Sequence, residues 1–242
     1  MQEFNIPTET VELPSKGLIY PKDNPLSSGK VELKYMTAKE EDILTNQSYI
    51  EKGTVIDKLL KSLIVTKINY NDLITGDKNA IMIASRILGY GGEYKFDYLG
   101  ENYEIDLSNI ENKEIDTKLF KQGVNNFSFT LPHSKNEITF KLLTHGIDVK
   151  IKQELQGLKR INKDSNPELS TRLKYMITSI NGEVETPKIR EFVDTALLAR
   201  DSRALREYVN QIQPDVDLTF FPDNSDEKKS IPININFFWP DV

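Results

Sequence analysis

DKNAIMIASRILGYGGEYKFDYLGENYEIDL, residues 77–107, changes its apolar period partway along. Up to Leu88 the apolar residues Ile81, Ala84, Ile87 and Leu88 fall on one helical face, starting from Asp77. Beyond Gly89, Gly91 and Gly92, residues 93–99 and 103–107 alternate apolar with polar around Gly100-Glu101-Asn102. That is the pattern of a β-hairpin. One stretch therefore predicts a helix stopped by glycines that runs straight into paired strands, and with it a fold of the α+β class.

Upstream the helical signal continues. Thr37 followed by Glu40 is a capping-box pattern opening a helix to about Asn46. Val55, Ile56, Leu59, Leu60, Leu63 and Ile64 form an apolar stripe on a second helix from Thr54. Asn71 or Asp72 caps a short turn ending at Gly76. Earlier still, Pro7, Pro14, Pro21 and Pro25 forbid a helix interior. Val31, Leu33 and Tyr35 alternate with polar neighbours as one half-buried strand.

Downstream, residues 127–131 and 138–142 form a second strand pair, joined by the polar residues 133–137. Helices follow over 147–162, then from Pro167 along Leu169, Leu173, Met176, Ile177 and Ile180 to a left-handed cap at Asn181-Gly182. Two more span 187–200 and 202–213. The tail returns to strands, 218–221 and the alternating Ile231, Ile233, Ile235 and Phe237. The expected organisation is a mixed front half with helices and β-hairpins (1–143, including an extended N-terminal arm), a helical region (144–214) and a C-terminal β-hairpin (215–242). One continuous domain is compatible with the same reading.

The 242 residues carry a formal charge of −6, which disfavours a protein built to grip a nucleic-acid backbone. Cysteine is absent, so disulfides, thiolate metal sites and Cys nucleophiles are excluded. The opening MQEFNIPTETVELP is acidic with no apolar core, and no apolar run approaches the roughly 20 residues that cross a bilayer. No membrane partner is expected.

Candidate chemistry is sparse. His133 and His145 fall at element ends without ligand spacing and read as exposed loop residues. Gly89-Tyr90-Gly91-Gly92 ends a helix rather than opening one, the wrong polarity for an anion cradle. Gly76-Asp77-Lys78 lacks the other elements of a P-loop. Glu40-Glu41 and Asp226-Glu227 read as solvated surface. No catalytic, cofactor or metal site is expected. The series Lys150, Lys152, Lys159, Arg160 and Lys163 gives one helix a basic face, either solvated or meeting an acidic partner or a phosphate backbone.

Two features are unusual. Residues 11–20 are apolar and Pro-punctuated, either an edge strand on their own domain or an arm inserted into a neighbour. The ending Asn236-Phe237-Phe238-Trp239-Pro240-Asp241-Val242 stacks three aromatics, which one strand cannot all turn inward. Either the strand is covered on both faces or one face anchors a partner. The candidate partner-binding residues are Leu13, Leu18, Ile19, Tyr20, Phe237, Phe238 and Trp239.

LPSKGLIYP (13–21), VELKYMTAKEEDILTN (31–46) and DLITGDKNAIMIASRILGYGGEY (72–94), with FTLPHS, FKLLTHG, ALLARDSRALREYV (196–209) and the terminal FFWPD, resemble the T-even-type baseplate hub proteins of myophages. That family comprises the baseplate hub subunit and the baseplate hub assembly protein. The pieces are spread over nearly the whole chain, in the family's order. The resemblance implies a non-enzymatic bacteriophage tail protein, a structural subunit of the baseplate hub or a factor that assembles it. The alternative is a tail-assembly chaperone for tape-measure and hub proteins that is absent from the virion. Its partners would be other tail and hub proteins and the tape-measure protein, with self-association open. It would act in the host cytoplasm during assembly or in the virion tail. A nucleic-acid-associated factor is the runner-up from another class. Several family members carry paired cysteines in the C-terminal hairpin; FFPDNSDEKKSIPI (220–233) has none, so its support must come from Phe220, Phe221, Ile231, Ile233 and the terminal aromatics.

Overall fold

The structure is a computed structural model describing residues 6–164, 166–223, 225–233 and 235–238. Strand β1 (Thr8–Glu12) pairs antiparallel with β2 (Lys30–Lys34), Val11 opposite Val31. Val31 and Leu33 point inward, as their alternation predicts. The residues between the strands fold back through tight turns, including the 3-10 turn Pro25–Ser28 capped by the Asn24 side chain. Lys16 and Gly17 both have positive φ, and a Cβ on Gly17 would collide with the Ser27 backbone. Only glycine fits there.

Helix α1 (Ala38–Leu44) starts with the expected capping box. Helix α2 (Gln47–Glu51), capped by Asn46, had no periodic signal because it is too short to show one. Helix α3 (Val55–Leu63) buries Val55, Leu59, Leu60 and Leu63. Helix α4 (Thr75–Tyr90) begins before Asp77, so Asp77 is an interior residue of its first turn rather than the cap. Its glycine end leads into β3 (Glu93–Tyr98) and β4 (Glu101–Asp106), paired from Glu93↔Asp106 to Tyr98↔Glu101. The hairpin turn is Leu99-Gly100, both at positive φ, and is tighter than the expected Gly100 to Asn102 loop. The buried Arg86 crosses this junction, donating to the carbonyls of Gly91 at 2.5 Å and Glu93 at 2.8 Å.

Strands β5 (Phe127–Thr130) and β6 (Glu137–Phe140) form the second hairpin. Helix α5 (His145–Ile161) follows, then α6 (Glu168–Met176). Here one expectation fails. Residues 177–180 do not continue α6 but form β7 (Ile177–Ile180), the third strand of an antiparallel β5-β6-β7 sheet. Leu173, Met176, Ile177 and Ile180 fit a helical stripe, but Ile-Thr-Ser-Ile is β-branched and finds a partner strand 40 residues away. Thr139 Oγ1 bonds Thr178 Oγ1 at 2.7 Å and Ser179 Oγ at 2.6 Å across the pair. Asn181-Gly182 is then a tight turn closed by Ile180–Glu183 backbone bonds, not a helix cap. Helices α7 (Thr186–Thr195) and α8 (Ala199–Ile212) follow, with the break between them at 196–198 rather than after Arg200 as expected.

The tail pairs β8 (Thr219–Phe220) with β9 (Lys229–Ser230). The alternating strand expected through Phe237 is instead a 3-10 turn, Ile235–Phe238. With about three residues per turn, successive side chains point roughly 120° apart. Phe237 and Phe238 can therefore both be buried, which a strand covered on one face only would forbid. The fold is α+β, with small antiparallel sheets and a C-terminal hairpin.

Two hydrophobic clusters share α3 and α4. One draws on Leu60 and Ile81, the 13–33 segment, the three-stranded sheet and α5–α8. The other draws on Leu59, Leu63 and Ile83, with Tyr94 and Phe96 of the hairpin and Phe220, Ile231, Phe237 and Phe238 of the tail. The clusters cut across boundaries at 143 and 214: the first takes in residues on both sides of 143, the second joins the front half to the tail.

Candidate functional site

The polar residues that matter most are carboxylates placed on apolar helical stripes. Asp77 lies on the face of α4 that also carries Ile81 and is fully buried. It accepts from Ser15 N (2.9 Å), Ser15 Oγ (2.7 Å) and Tyr20 Oη (2.6 Å). Tyr20 Oη in turn accepts from Ile74 N at 3.2 Å. Burial pushes the Asp77 carboxyl above its ordinary range, and the nearby negative charge of Asp215 adds to this. Burial beside Asp77 likewise drives the Tyr20 phenol far up, so it remains a donor. Beside this node, a Cβ on Gly76 would run into the Pro214 carbonyl. Glycine is needed there for close approach, not for conformational freedom.

Asp201 repeats the arrangement on α8, sharing a stripe with Leu205, Val209 and Ile212. Its carboxylate accepts from the backbone N–H groups of His133 (2.8 Å) and Ser134 (2.9 Å). Burial works to raise its pKa, but these donors outweigh it and hold the group below the ordinary carboxylate range. Glu40 is a third case. Far from being solvated, it is buried, bound by Thr37 N at 3.1 Å, Thr37 Oγ1 at 2.6 Å and Lys34 Nζ at 2.8 Å. Those donors overcome burial and keep it ionised. The remainder of that expectation stands: Glu41, Asp226 and Glu227 are exposed.

A cleft of about 310 Å³ opens where α3, α4 and α5 meet, lined among others by Asp57, Thr75, Lys78, His145, Asp148 and Lys152. His145 is not an exposed loop residue. As the first residue of α5 it is 7% exposed, because His145 N donates to Leu73 O at 2.7 Å and draws the helix start against the turn before α4. Its ring sits edge-on to Tyr70 at 4.7 Å between centroids. Asp57 accepts from Lys78 Nζ at 2.6 Å and Tyr70 Oη at 3.0 Å, and its second oxygen lies 3.8 Å from His145 Nε2. Burial lowers the imidazole pKa, with Lys78 and Lys61 adding to the effect against Asp57, so the ring is neutral at pH 7. Burial also tends to raise Asp57, but Lys78, His145 and Tyr70 hold it below the ordinary range. Burial and Asp57 push the Tyr70 phenol far upward, keeping it protonated. The result is an ionised carboxylate compensated by an ammonium and a phenol, with a neutral imidazole beyond hydrogen-bond range. Chemically it is a charge-balanced joint between three helices. Among the described residues, no hydroxyl donates to His145, and no group of three or more His, Asp or Glu is placed to hold a metal ion. His133 is exposed, as expected.

The partner-binding candidates are brought into the chain's own cores. Leu13, Ile19 and Tyr20 are buried in the first cluster and Leu18 packs against it half-buried. Phe237 and Phe238 are buried in the second, Phe237 edge-on to Tyr94 at 5.1 Å. As surfaces for a partner these side chains are already taken, since the polar residues Ser15 and Tyr20 fasten the first segment to α4. Trp239 lies outside the described residues. In the hairpin, Phe220 and Ile231 are buried as expected, whereas Phe221 is 59% exposed. Among the described residues, no helix is long and apolar enough to cross a membrane.

No family model matches the chain, and neither a curated protein nor a solved structure matches it.

Proposed function

We propose that the chain is a non-enzymatic protein of a contractile-tailed bacteriophage, acting as a structural subunit of the baseplate hub or as a factor that assembles it. It would work by binding other tail proteins, in the host cytoplasm during assembly or in the finished tail. The observation that carries this reading is where the resembling stretches lie in the fold. Ser15 and Tyr20 of LPSKGLIYP bind Asp77 of DLITGDKNAIM. Leu73 and Ile74 of that same stretch meet Thr144 and His145 of FKLLTHG. His133 and Ser134 of FTLPHS bind Asp201 of ALLARDSRALREYV. The stretches that carry the resemblance, far apart in the chain, thus interlock with one another. Their polar residues serve as fastenings between segments, which suits a scaffold and leaves few groups for bond chemistry.

Co-expression with the tail's hub and tape-measure proteins, followed by affinity purification and mass measurement, tests the reading. A stable complex with at least one of them is expected, and failure to co-purify with any of them sinks it. Mass spectrometry of purified tails separates the two versions: a hub subunit is present in them, an assembly chaperone is missing.

A further inference from the structure

Three segments close around His145 at the start of α5. Its backbone N–H donates to Leu73 O, and a bridge between Ile74 and Thr144 clamps the same point. The next residue, Gly146, lies so near the 3-10 turn Tyr70–Asp72 that a Cβ on it would come within 3.0 Å of Asn71 Cβ and 3.2 Å of the Asn71 carbonyl oxygen. The imidazole is packed edge-on against Tyr70. Among the described residues neither ring nitrogen has a hydrogen-bond partner, since Nε2 stops 3.8 Å short of Asp57 Oδ2. His145 also lines the cleft of about 310 Å³, which gives solvent protons a route to the ring.

A positive charge on that ring is poorly accommodated. From α3, Asp57 faces it, but the other oxygen of Asp57 is already shared by Lys78 Nζ at 2.6 Å and Tyr70 Oη at 3.0 Å. Lys61, also on α3, stands 4.7 Å from the centre of the Tyr70 ring, and Lys78 of α4 stands 5.9 Å from it. On α5 itself, Asp148 is engaged by Arg172 of α6 at 3.2 Å, and Lys152 lines the same cleft. His145 is moreover the first residue of a 17-residue helix, the end where the dipole disfavours a cation. Burial, Lys78 and Lys61 thus outweigh Asp57 and Asp148, and the imidazole pKa falls below its ordinary 6.5. A protonated ring can reach water by opening the first turn of α5 alone. That gives up the Leu73 and Tyr70 contacts, whereas global unfolding would give up both cores.

We infer that His145 is an acid-released latch: the neutral ring holds the start of α5 against α3 and the Tyr70 turn, and protonation frees that end of the helix while the rest of the fold stays closed. The latch's contribution is fully present above pH 6.5 and is lost as pH falls through the folded value. Asp57 gives up its own contribution only below 3.8, so the two windows are separate. The inference concerns the fold alone and does not rest on the hub assignment.

Proton NMR of the full chain tests it, since only His133 and His145 contribute imidazole C–H resonances. The resonance lost in His145→Asn should titrate in the parent with a midpoint below 6.5. Amide exchange is followed alongside between about pH 7.5 and about pH 5, corrected for the pH dependence of intrinsic exchange. Protection of the His145 amide should fall by up to about tenfold per pH unit below the ordinary imidazole pKa. Amides of β3 and β4, in the other cluster, should keep theirs, and His145→Asn should abolish the fall at its position. Lys61→Gln removes an exposed cation from the surface, so it should raise the midpoint and shrink the fall even if His145→Asn does not fold. A midpoint at or above 6.5 overturns the proposal, because the imidazolium then pairs with Asp57 and tightens the joint. Protection that ignores pH overturns it too, as does a fall that persists in His145→Asn. An equal fall in β3 and β4 would mean global unfolding and also sinks the latch.

Discussion

The segment from Leu13 to Tyr20 and the outer half of α5 meet opposite fates in the fold. The first is apolar, broken by prolines, and looks like a sticky arm; it is internal. The second is cationic and looks like an ordinary solvated face; beyond Leu155 it is largely exposed. The difference lies in partners supplied from elsewhere in the chain. Asp77 gives Ser15 and Tyr20 a buried acceptor, and that bond network holds the neighbouring Leu13 and Ile19 in the core. No residue performs the same service for Lys159, Arg160 or Ile161 among those described. Apolar composition alone therefore does not mark an interface; what decides is whether the chain itself supplies the partners.

The comparison can be broken at the buried end first. Phe237→Ala should destabilise the fold by about 3–5 kcal/mol, read as a lowered urea midpoint. A loss below about 1 kcal/mol, with binding to tail proteins abolished, would return this residue to the role of a partner anchor. Asp77→Ala should cost about 3 kcal/mol by leaving Ser15 N and the Tyr20 phenol without an acceptor. Limited proteolysis should then cut between residues 13 and 29 faster than in the parent.

A pH series sharpens the contrast among the buried carboxylates. Asp77 has a folded pKa above its ordinary 3.8, so the folded state holds its proton more tightly than the unfolded chain. Its contribution is therefore fully present below pH 3.8 and is lost as pH rises through the folded value. Asp77→Asn should lose the least relative to the parent at neutral pH and the most in acid. Asp57 and Asp201 have folded values below 3.8; their contributions are present above that pH and disappear as pH falls through the folded values. Asp201→Asn should thus show the opposite trend, measured by urea unfolding from about pH 3 to about pH 8. At the exposed end, Lys159→Glu and Ile161→Ser should each change stability by no more than about 0.5 kcal/mol. A larger loss would mean that this face is structural after all.

Much of the architecture was legible in the residues because period and punctuation agree. The α4 stripe, the three glycines after it and the β3–β4 alternation specify their elements locally, and the Thr37–Glu40 box does the same for α1. Where local signals were ambiguous, long-range pairing decided. Ile177 and Ile180 fit a helix face as well as a strand, and only β6 selects between them. The run 235–238 alternates like a strand, yet two adjacent phenylalanines needed burial and the chain tightened into a 3-10 turn to provide it. The buried polar nodes were partly legible. Asp77 and Asp201 sit at helical spacing from Ile81 and from Leu205, and a carboxylate on an apolar stripe demands donors. Who donates could not be read locally, since Ser15 lies 62 residues from Asp77 and His133 lies 68 from Asp201. His145 was misread for the same reason: its burial depends on Tyr70 and Asp57, which no spacing links to it.

The placement of Phe237 and Phe238 has a consequence for synthesis. Chains emerge from the ribosome in order, and domains fold as their parts become available. The first cluster draws its buried residues from Leu13 through Ile212 and can be filled while the tail is still in the exit tunnel. The second cannot, because Tyr94 waits for Phe237, edge-on at 5.1 Å, and Phe96 for Phe220. Until these arrive, the hairpin face is incompletely covered, giving nascent chains a window in which this surface is open to chaperones or to misassociation. Ribosome-bound chains stalled before Phe237 has emerged should be cleaved within β3–β4 by protease, whereas released chains should resist.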